Sequence, residues 1–195
     1  MSYEKFTASN AVLLLIDHQV GTMSWVKSID FEEMKRNALM LAESAKILNM
    51  PVVLTSSMEE HAQGPLLSEL ETLLPAEFNA RIKRLGIVNA MDDENFAAAV
   101  HASGRKKIII AGVTNDVCTV YPALSLVRDG FEVQVVADAG GSPSKMADEM
   151  ALRRMETNGV TLTSTNQLIA ELAGSWATPE GTQLVQVMLK SLQGA

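Results

Sequence analysis

The sequence predicts an α/β fold built on a parallel sheet, and two observations carry that reading. Short aliphatic runs recur along the chain with longer segments of helical period between them, the pattern of strands joined by crossover helices. Three of the four clearest runs are nearly free of polar residues, as strands covered on both faces must be. The clear runs are residues 12–16 (Val12-Leu13-Leu14-Leu15-Ile16), 52–54, 108–111 and 133–136; a shorter strand is expected within 80–88 and a sixth over 160–163. Between the first two, Phe31, Met34, Ala38, Leu41, Ala42, Ala45 and Leu48 fall at helical spacing, with Asp30 and Glu33 placed as a capping box. Weaker helices are expected over 65–74, 94–102, 117–127, 144–158 and 166–173, several ending near a glycine such as Gly104, Gly130 or Gly159. Residues 179–192 complete the pattern, with Pro179 suited to a first helical turn.

The chain of 195 residues has no internal repeat, low-complexity tract or linker, so a single domain over residues 1–195 is expected. With 47% hydrophobic and 20% charged residues and only 12 Gly and 6 Pro, the composition is that of a globular protein. Sixteen Lys and Arg against 23 Asp and Glu give a net charge of −7, the reverse of what a nucleic-acid-binding surface needs. The single cysteine, Cys118, excludes an intramolecular disulfide and suits a reducing compartment. The longest apolar run, residues 11–16, is too short to span a bilayer. The opening Met1-Ser2-Tyr3-Glu4-Lys5 has no apolar signal-peptide core, so a cytoplasmic protein without a membrane partner is expected.

Ligands of open α/β sheets bind beyond the carboxyl ends of the strands, and three polar segments follow aliphatic runs there. Asp17 closes the first strand, where partial desolvation would raise its pKa toward the range of a general base; it is equally suited to capping a turn. The segment Gly112-Val113-Thr114-Asn115-Asp116-Val117-Cys118 leaves the strongest strand and enters a helix. A thiol in a first helical turn meets backbone N–H groups that favour thiolate and could hold an oxyanion, although a free cysteine also serves as a small core hydrophobe. Gly112 permits close backbone approach, but no Gly-x-Gly-x-x-Gly is present, which disfavours a dinucleotide. Arg81, Lys83 and Arg84 form a basic run that is either a solvated face or a site element; strand alternation sends Lys83 and Arg84 to opposite faces. His18, His61 and His101 have no metal-ligand spacing, so no metal site is expected. Alternation turns His18 away from Asp17, and His101 suits a helix C-terminus. Met23, Trp25 and Met58, each a few residues beyond a strand end, are candidates for pocket walls or for core.

Asp17-His18-Gln19, Arg84-Leu85-Gly86-Ile87-Val88-Asn89-Ala90 and Ala111-Gly112-Val113-Thr114-Asn115-Asp116-Val117-Cys118, in this order and spacing, resemble the isochorismatase-like cysteine hydrolases. The likeness covers nearly the whole chain and is nearest to a branch of small octameric bacterial hydrolases of unassigned substrate. The resemblance implies a three-layer α/β/α sandwich around a six-stranded parallel sheet. It implies a triad of Cys118 as nucleophile, Asp17 as base and Arg84 as the basic member, with a cis peptide between Val113 and Thr114 and an oxyanion hole at the backbone N–H groups of Thr114 and Cys118. It calls for no cofactor, and it implies a small-molecule substrate and a homo-oligomer. The basic member is most often lysine in the wider family, and arginine, which keeps its proton, can stabilise charge there but cannot shuttle a proton. Hydrolysis of a small amide-like C–N bond through a thioester is the leading expectation. Vinyl-ether hydrolysis of the isochorismate type, nicotinamide hydrolysis, and a non-catalytic binding or redox-sensing protein are the alternatives.

Overall fold

A computed structural model describes residues 4–190. The chain runs β1 (Ala11–Ile16), α1 (Val20–Ser24), α2 (Phe31–Ile47), β2 (Val52–Ser57), α3 (Ser68–Leu73), α4 (Pro75–Asn79), β3 (Ile82–Arg84) and α5 (Glu94–Ala102). It continues with β4 (Lys107–Gly112), α6 (Val120–Arg128), β5 (Glu132–Val136), α7 (Lys145–Thr157), β6 (Thr161–Thr163), α8 (Thr165–Ala173) and α9 (Pro179–Leu189). The last two residues of the helix expected over 179–192 lie outside the described residues.

All six strands are parallel, in the order β3-β2-β1-β4-β5-β6. The alternation of side chains along β1 and β4 divides the interior into two cores, which is why both strands are apolar on both faces apart from Lys107 at the start of β4. Leu13, Leu15, Ile109 and Ala111 pack with Met34, Leu41 and Ala45 of α2, Leu168 and Ile169 of α8, and Leu184 of α9. Val12, Leu14, Ile16, Ile108 and Ile110 face the other way, onto Phe96 and Val100 of α5, Ala123 and Leu126 of α6, and Met155 of α7. The result is a three-layer α/β/α sandwich. Strand order reverses at β1, whose neighbours are β2 on one side and β4 on the other, and a crevice opens where their carboxyl ends diverge.

Helix α2 starts as its sequence dictates, with the Asp30 carboxylate accepting from the Glu32 and Glu33 amides at 3.0 and 3.1 Å. Other segments differ from expectation. The helix expected over 65–74 forms only from Ser68 and gives way to α4, because Pro75 starts a new helix at its first position. The short α1 has no capping side chain and no sequence signal of its own. The helix expected from Val117 begins at Val120; Asn115–Thr119 is instead a wide π turn, closed by the Thr119 amide donating to the Thr114 carbonyl at 3.0 Å. Among the described residues, no helix is long and apolar enough to cross a membrane.

Candidate active site

Asp17 follows β1 directly and adopts a left-handed conformation with φ of 57°, which turns the chain away from the sheet and leaves its side chain at the crevice. Its amide donates to the Thr55 carbonyl at 3.0 Å, holding this turn against β2. The side chain is 1% exposed, and both carboxylate oxygens accept from Nη2 of Arg84, itself 1% exposed. Arg84 reaches this position because β3 ends beside β2 in register Ser57 to Arg84, with alternate residues facing opposite ways. Its Nε donates to Thr55 Oγ1 at 3.0 Å and its Nη1 to the Ile87 carbonyl at 2.6 Å, so the guanidinium is fixed on three sides. Lys83 points outward, with a side chain 55% exposed, and pairs with Glu59 at 2.9 Å. The two residues face opposite ways as alternation requires, and Arg84, the residue that the resemblance implies, is the one beside Asp17; Arg81 and Lys83 both pair with Glu59.

Cys118 sits in the π turn beyond β4, with its thiol hydrogen-bonded to the Asp17 carboxylate. The turn is anchored from below. The Asn115 amide donates to the Gly141 carbonyl at 2.8 Å, and Asn115 Nδ2 donates to the Ala137 carbonyl and to Asp148 at 3.2 and 3.1 Å. Asp148 also accepts from Ser142 at 2.8 Å. Gly112 makes the approach of this turn to β1 possible, since a Cβ there would lie 2.7 Å from Thr119 Oγ1 and 3.1 Å from Ile16 Cβ. The Val113–Thr114 peptide is cis.

Burial raises the Asp17 pKa above the ordinary carboxylate value, and the charge and hydrogen bond of Arg84 offset only part of that cost. Burial also pushes the Cys118 thiol up, the negative charge of Asp17 pushes it further, and Arg84 opposes both. Cys118 lies in the π turn that runs into α6, where a backbone hydrogen bond at Thr114 favours thiolate as expected, but burial and then the adjacent carboxylate outweigh it. Both shifts favour the protonated forms, and Arg84 opposes them at each group.

Asp17, Arg84 and Cys118 open onto a cavity of about 280 Å³, whose apolar walls include Trp25, Ile87, Val88, Val117 and Pro143. Of the three wall candidates, Trp25 lines it, whereas Met23 is wholly buried in the core and Met58 lies near Gly86 without lining it. His18 turns away as alternation requires; its Nε2 is 2.8 Å from the Ala139 carbonyl, and burial lowers its pKa to about 4. His101 lies in the last turn of α5. Among the described residues, no group of three His, Cys, Asp or Glu side chains is arranged to hold a metal ion.

Sequence reasoning placed Gln19 and Thr55 only within stretches that carry the resemblance and assigned neither a role. Thr55 Oγ1 accepts from Arg84 and donates to the Ile82 carbonyl at 2.8 Å. The Gln19 amide group bridges the end of β2 to the loop at Gly64, exchanging bonds of 2.8 Å with the Ser57 backbone in both directions. Beyond the resemblance, their only sequence signal is being polar beside strand ends.

The fold and site define a three-layer α/β protein with a cysteine, an aspartate and an arginine gathered beyond the carboxyl edge of its parallel sheet. The isochorismatase domain model matches residues 11–167, and the chain belongs to this hydrolase family. It is 39% identical over 174 residues to the probable hydrolase YcaC of Escherichia coli, covering 89% of this chain and 83% of that one. The crystal structure of E. coli YcaC, an octameric hydrolase of unknown specificity, superposes with a TM-score of 0.91 at 36% identity, covering 98% of this chain and 92% of that one. YcaC from Pseudomonas aeruginosa, solved with hexane-2,5-diol and covalent acrylamide, gives 0.92 at 35% identity over 99% and 96% of the two chains. A MAR1 ribonuclease from Caenorhabditis elegans gives 0.85 at 25% identity over 95% and 93%.

Proposed function

We propose that this protein hydrolyses a small amide-like C–N bond through a thioester on Cys118. The contact between the Cys118 thiol and the buried Asp17 carboxylate, at the floor of a cavity, carries this reading. As Sγ attacks the carbonyl carbon, its proton passes to Asp17, and the carbonyl π pair moves onto oxygen, facing the backbone N–H groups of Thr114 and Cys118. Collapse of the tetrahedral adduct breaks the C–N bond, and the leaving nitrogen takes the proton from Asp17. A water then gives its proton to Asp17 and attacks the thioester; the released sulfur recovers that proton and the product is a carboxylic acid.

Arg84 contributes a fixed positive charge throughout. It pairs with Asp17 in the resting state and with the developing thiolate once Asp17 has taken the proton, so negative charge is matched at each stage. Proton shuttling needs only the sulfur and the carboxylate, which removes the difficulty of an arginine in a place often held by lysine. The acidic charge of the chain favours a small substrate over a polynucleotide, the ribonuclease neighbour notwithstanding. Leu85, 88% exposed, together with Ile87 and Val88 beside the cavity, suits burial against a second copy of the chain, as in octameric YcaC, and sedimentation of the purified protein tests that assembly.

Screening short amides, nicotinamide and isochorismate side by side tests the chemistry. Turnover of an amide that is lost in Cys118→Ala and Cys118→Ser supports the mechanism; full turnover in either variant overturns it.

A further inference from the structure

The cavity holds polar groups that the proposed chemistry does not use. Its charged lining residues are Asp17, Arg84 and Asp116. The first two neutralise one another, which leaves Asp116 as the uncompensated charge. Oδ1 of Asp116 is buried and has no hydrogen-bond partner. A second side chain on the same cavity, Thr22, is 4% exposed, and its Oγ1 is likewise buried and unpartnered. Both residues line the cavity, so a ligand that enters it meets the Asp116 carboxylate. Among the described residues, no Lys, and no Arg other than the one held by Asp17, lines the cavity to receive an anion.

We infer that Asp116 and Thr22 form a substrate-recognition subsite that selects a small amide carrying an ammonium or another N–H-rich group and rejects a carboxylate-bearing one. The inference rests on the proposed cysteine chemistry and adds its substrate class. Thr22 lines the cavity from α1, where its amide donates to the Gln63 carbonyl at 3.3 Å. A carboxylate entering this space would face Asp116 with no cation to offset it, which argues against isochorismate, a dicarboxylate.

Three acrylamide probes test the charge selection at the proposed nucleophile: acrylamide itself, its cationic aminoethyl derivative and the anionic N-acryloylglycine. In each, the Cys118 sulfur bonds to the terminal alkene carbon, the alkene pair moves to the neighbouring carbon, which takes the thiol proton, and nothing leaves. Adduct formation is followed by intact mass, with Cys118→Ser as the blank. In the wild type the cationic probe is expected to react about tenfold faster than the neutral one, and the anionic probe about tenfold slower. Asp116→Asn should level the three rates, and Asp116→Lys should reverse their order. Thr22→Val should slow all three without changing the order. Glu180→Gln, an exposed change on α9 that alters net charge by the same amount, should leave the preference intact. Adducts that form without charge preference, or a preference that survives Asp116→Asn, overturn the subsite and leave the nucleophile standing. Absence of any Cys118 adduct overturns the nucleophile itself and this inference with it.

Discussion

Arg84 and Lys83 leave the same three-residue strand in opposite directions and meet carboxylates that titrate in opposite senses. On the inner face, Asp17 holds Arg84 out of reach of water, and burial outweighs the attraction, so the carboxyl pKa is raised. On the outer face, Glu59 accepts from Arg81 at 2.7 Å, from Lys83 at 2.9 Å and from Ser56 at 2.7 Å. There the hydrogen bonds from Arg81 dominate a smaller burial cost, and the pKa falls to about 2. Two ion pairs built from the same residue types thus do different work. The outer one is a fixed anion that fastens β3 to the turn after β2, and the inner one serves as proton acceptor in the proposed mechanism. Solvent, rather than the identity of the partner, decides which.

Removing the inner cation should have the largest effect. Arg84→Met leaves Asp17 buried without its counter-charge, and the carboxyl then keeps a proton to higher pH, because Arg84 is what lowers it. Turnover at neutral pH should fall by about 10²–10⁴, the usual contribution of a general base, and should recover in part as pH rises. Stability should drop by about 3 kcal/mol, in the range for breaking a buried pair. A pH-rate profile whose acid limb does not move to higher pH would contradict the role given to Arg84.

Asp17→Asn separates the two functions that the inner pair combines. The carboxylate raises the Cys118 thiol, so its removal, with Arg84 still present, should lower that pKa. Iodoacetamide should then alkylate Cys118 faster at neutral pH than in the wild type, while amide turnover falls by about 10²–10⁴ for want of a base. Parallel loss of both would mean that the site had collapsed rather than lost a proton acceptor.

The two faces of β3 also mark what could be read from the sequence. Alternation sent Lys83 and Arg84 to opposite faces because it needs only the pleat of a strand, but which of them faces inward came from the resemblance; the same alternation separates Leu13 and Leu15 from Val12, Leu14 and Ile16 into two cores. The sign of the Cys118 shift was not legible. It depends first on how deeply the thiol is buried and then on the charge of Asp17, 101 positions away, and no local pattern encodes either. The positive φ of Asp17 and the π turn at Asn115–Thr119 escaped for a related reason, since both are imposed by what the chain packs against. Thr55 escaped because a threonine in a strand is ordinary until an arginine from the edge strand reaches it.

His18, next to the inner pair yet outside its chemistry, should govern stability in mild acid. Its pKa is near 6.5 when unfolded and about 4 when folded, because burial disfavours the charged ring. The unfolded chain therefore binds more protons between these values. His18 contributes stability that is complete above about pH 6.5 and is lost as pH falls toward 4, up to about 3 kcal/mol in all. Denaturant midpoints measured across that window should slope in the wild type and flatten in His18→Asn, whatever the variant costs in absolute stability.

The outer pair should give the smallest change, in a separate window. Glu59 has its folded pKa lowered from 4.5 to about 2, so its stabilisation is present above about pH 4.5 and fades as pH falls through 2. Its partner Lys83 is more than half exposed, and screening by solvent reduces the worth of such a network to about 1 kcal/mol, well below what the shift alone implies. Glu59→Gln should therefore cost about 1 kcal/mol at neutral pH and nothing near pH 2, where the wild-type carboxylate is giving up its charge. Because β3 also carries Arg84, the same variant tests how independent its two faces are. If the outer pair only fastens the strand edge, turnover and its pH profile should keep their wild-type form. A shift of the profile toward that of Arg84→Met would mean that the outer anion sets the position of the inner cation.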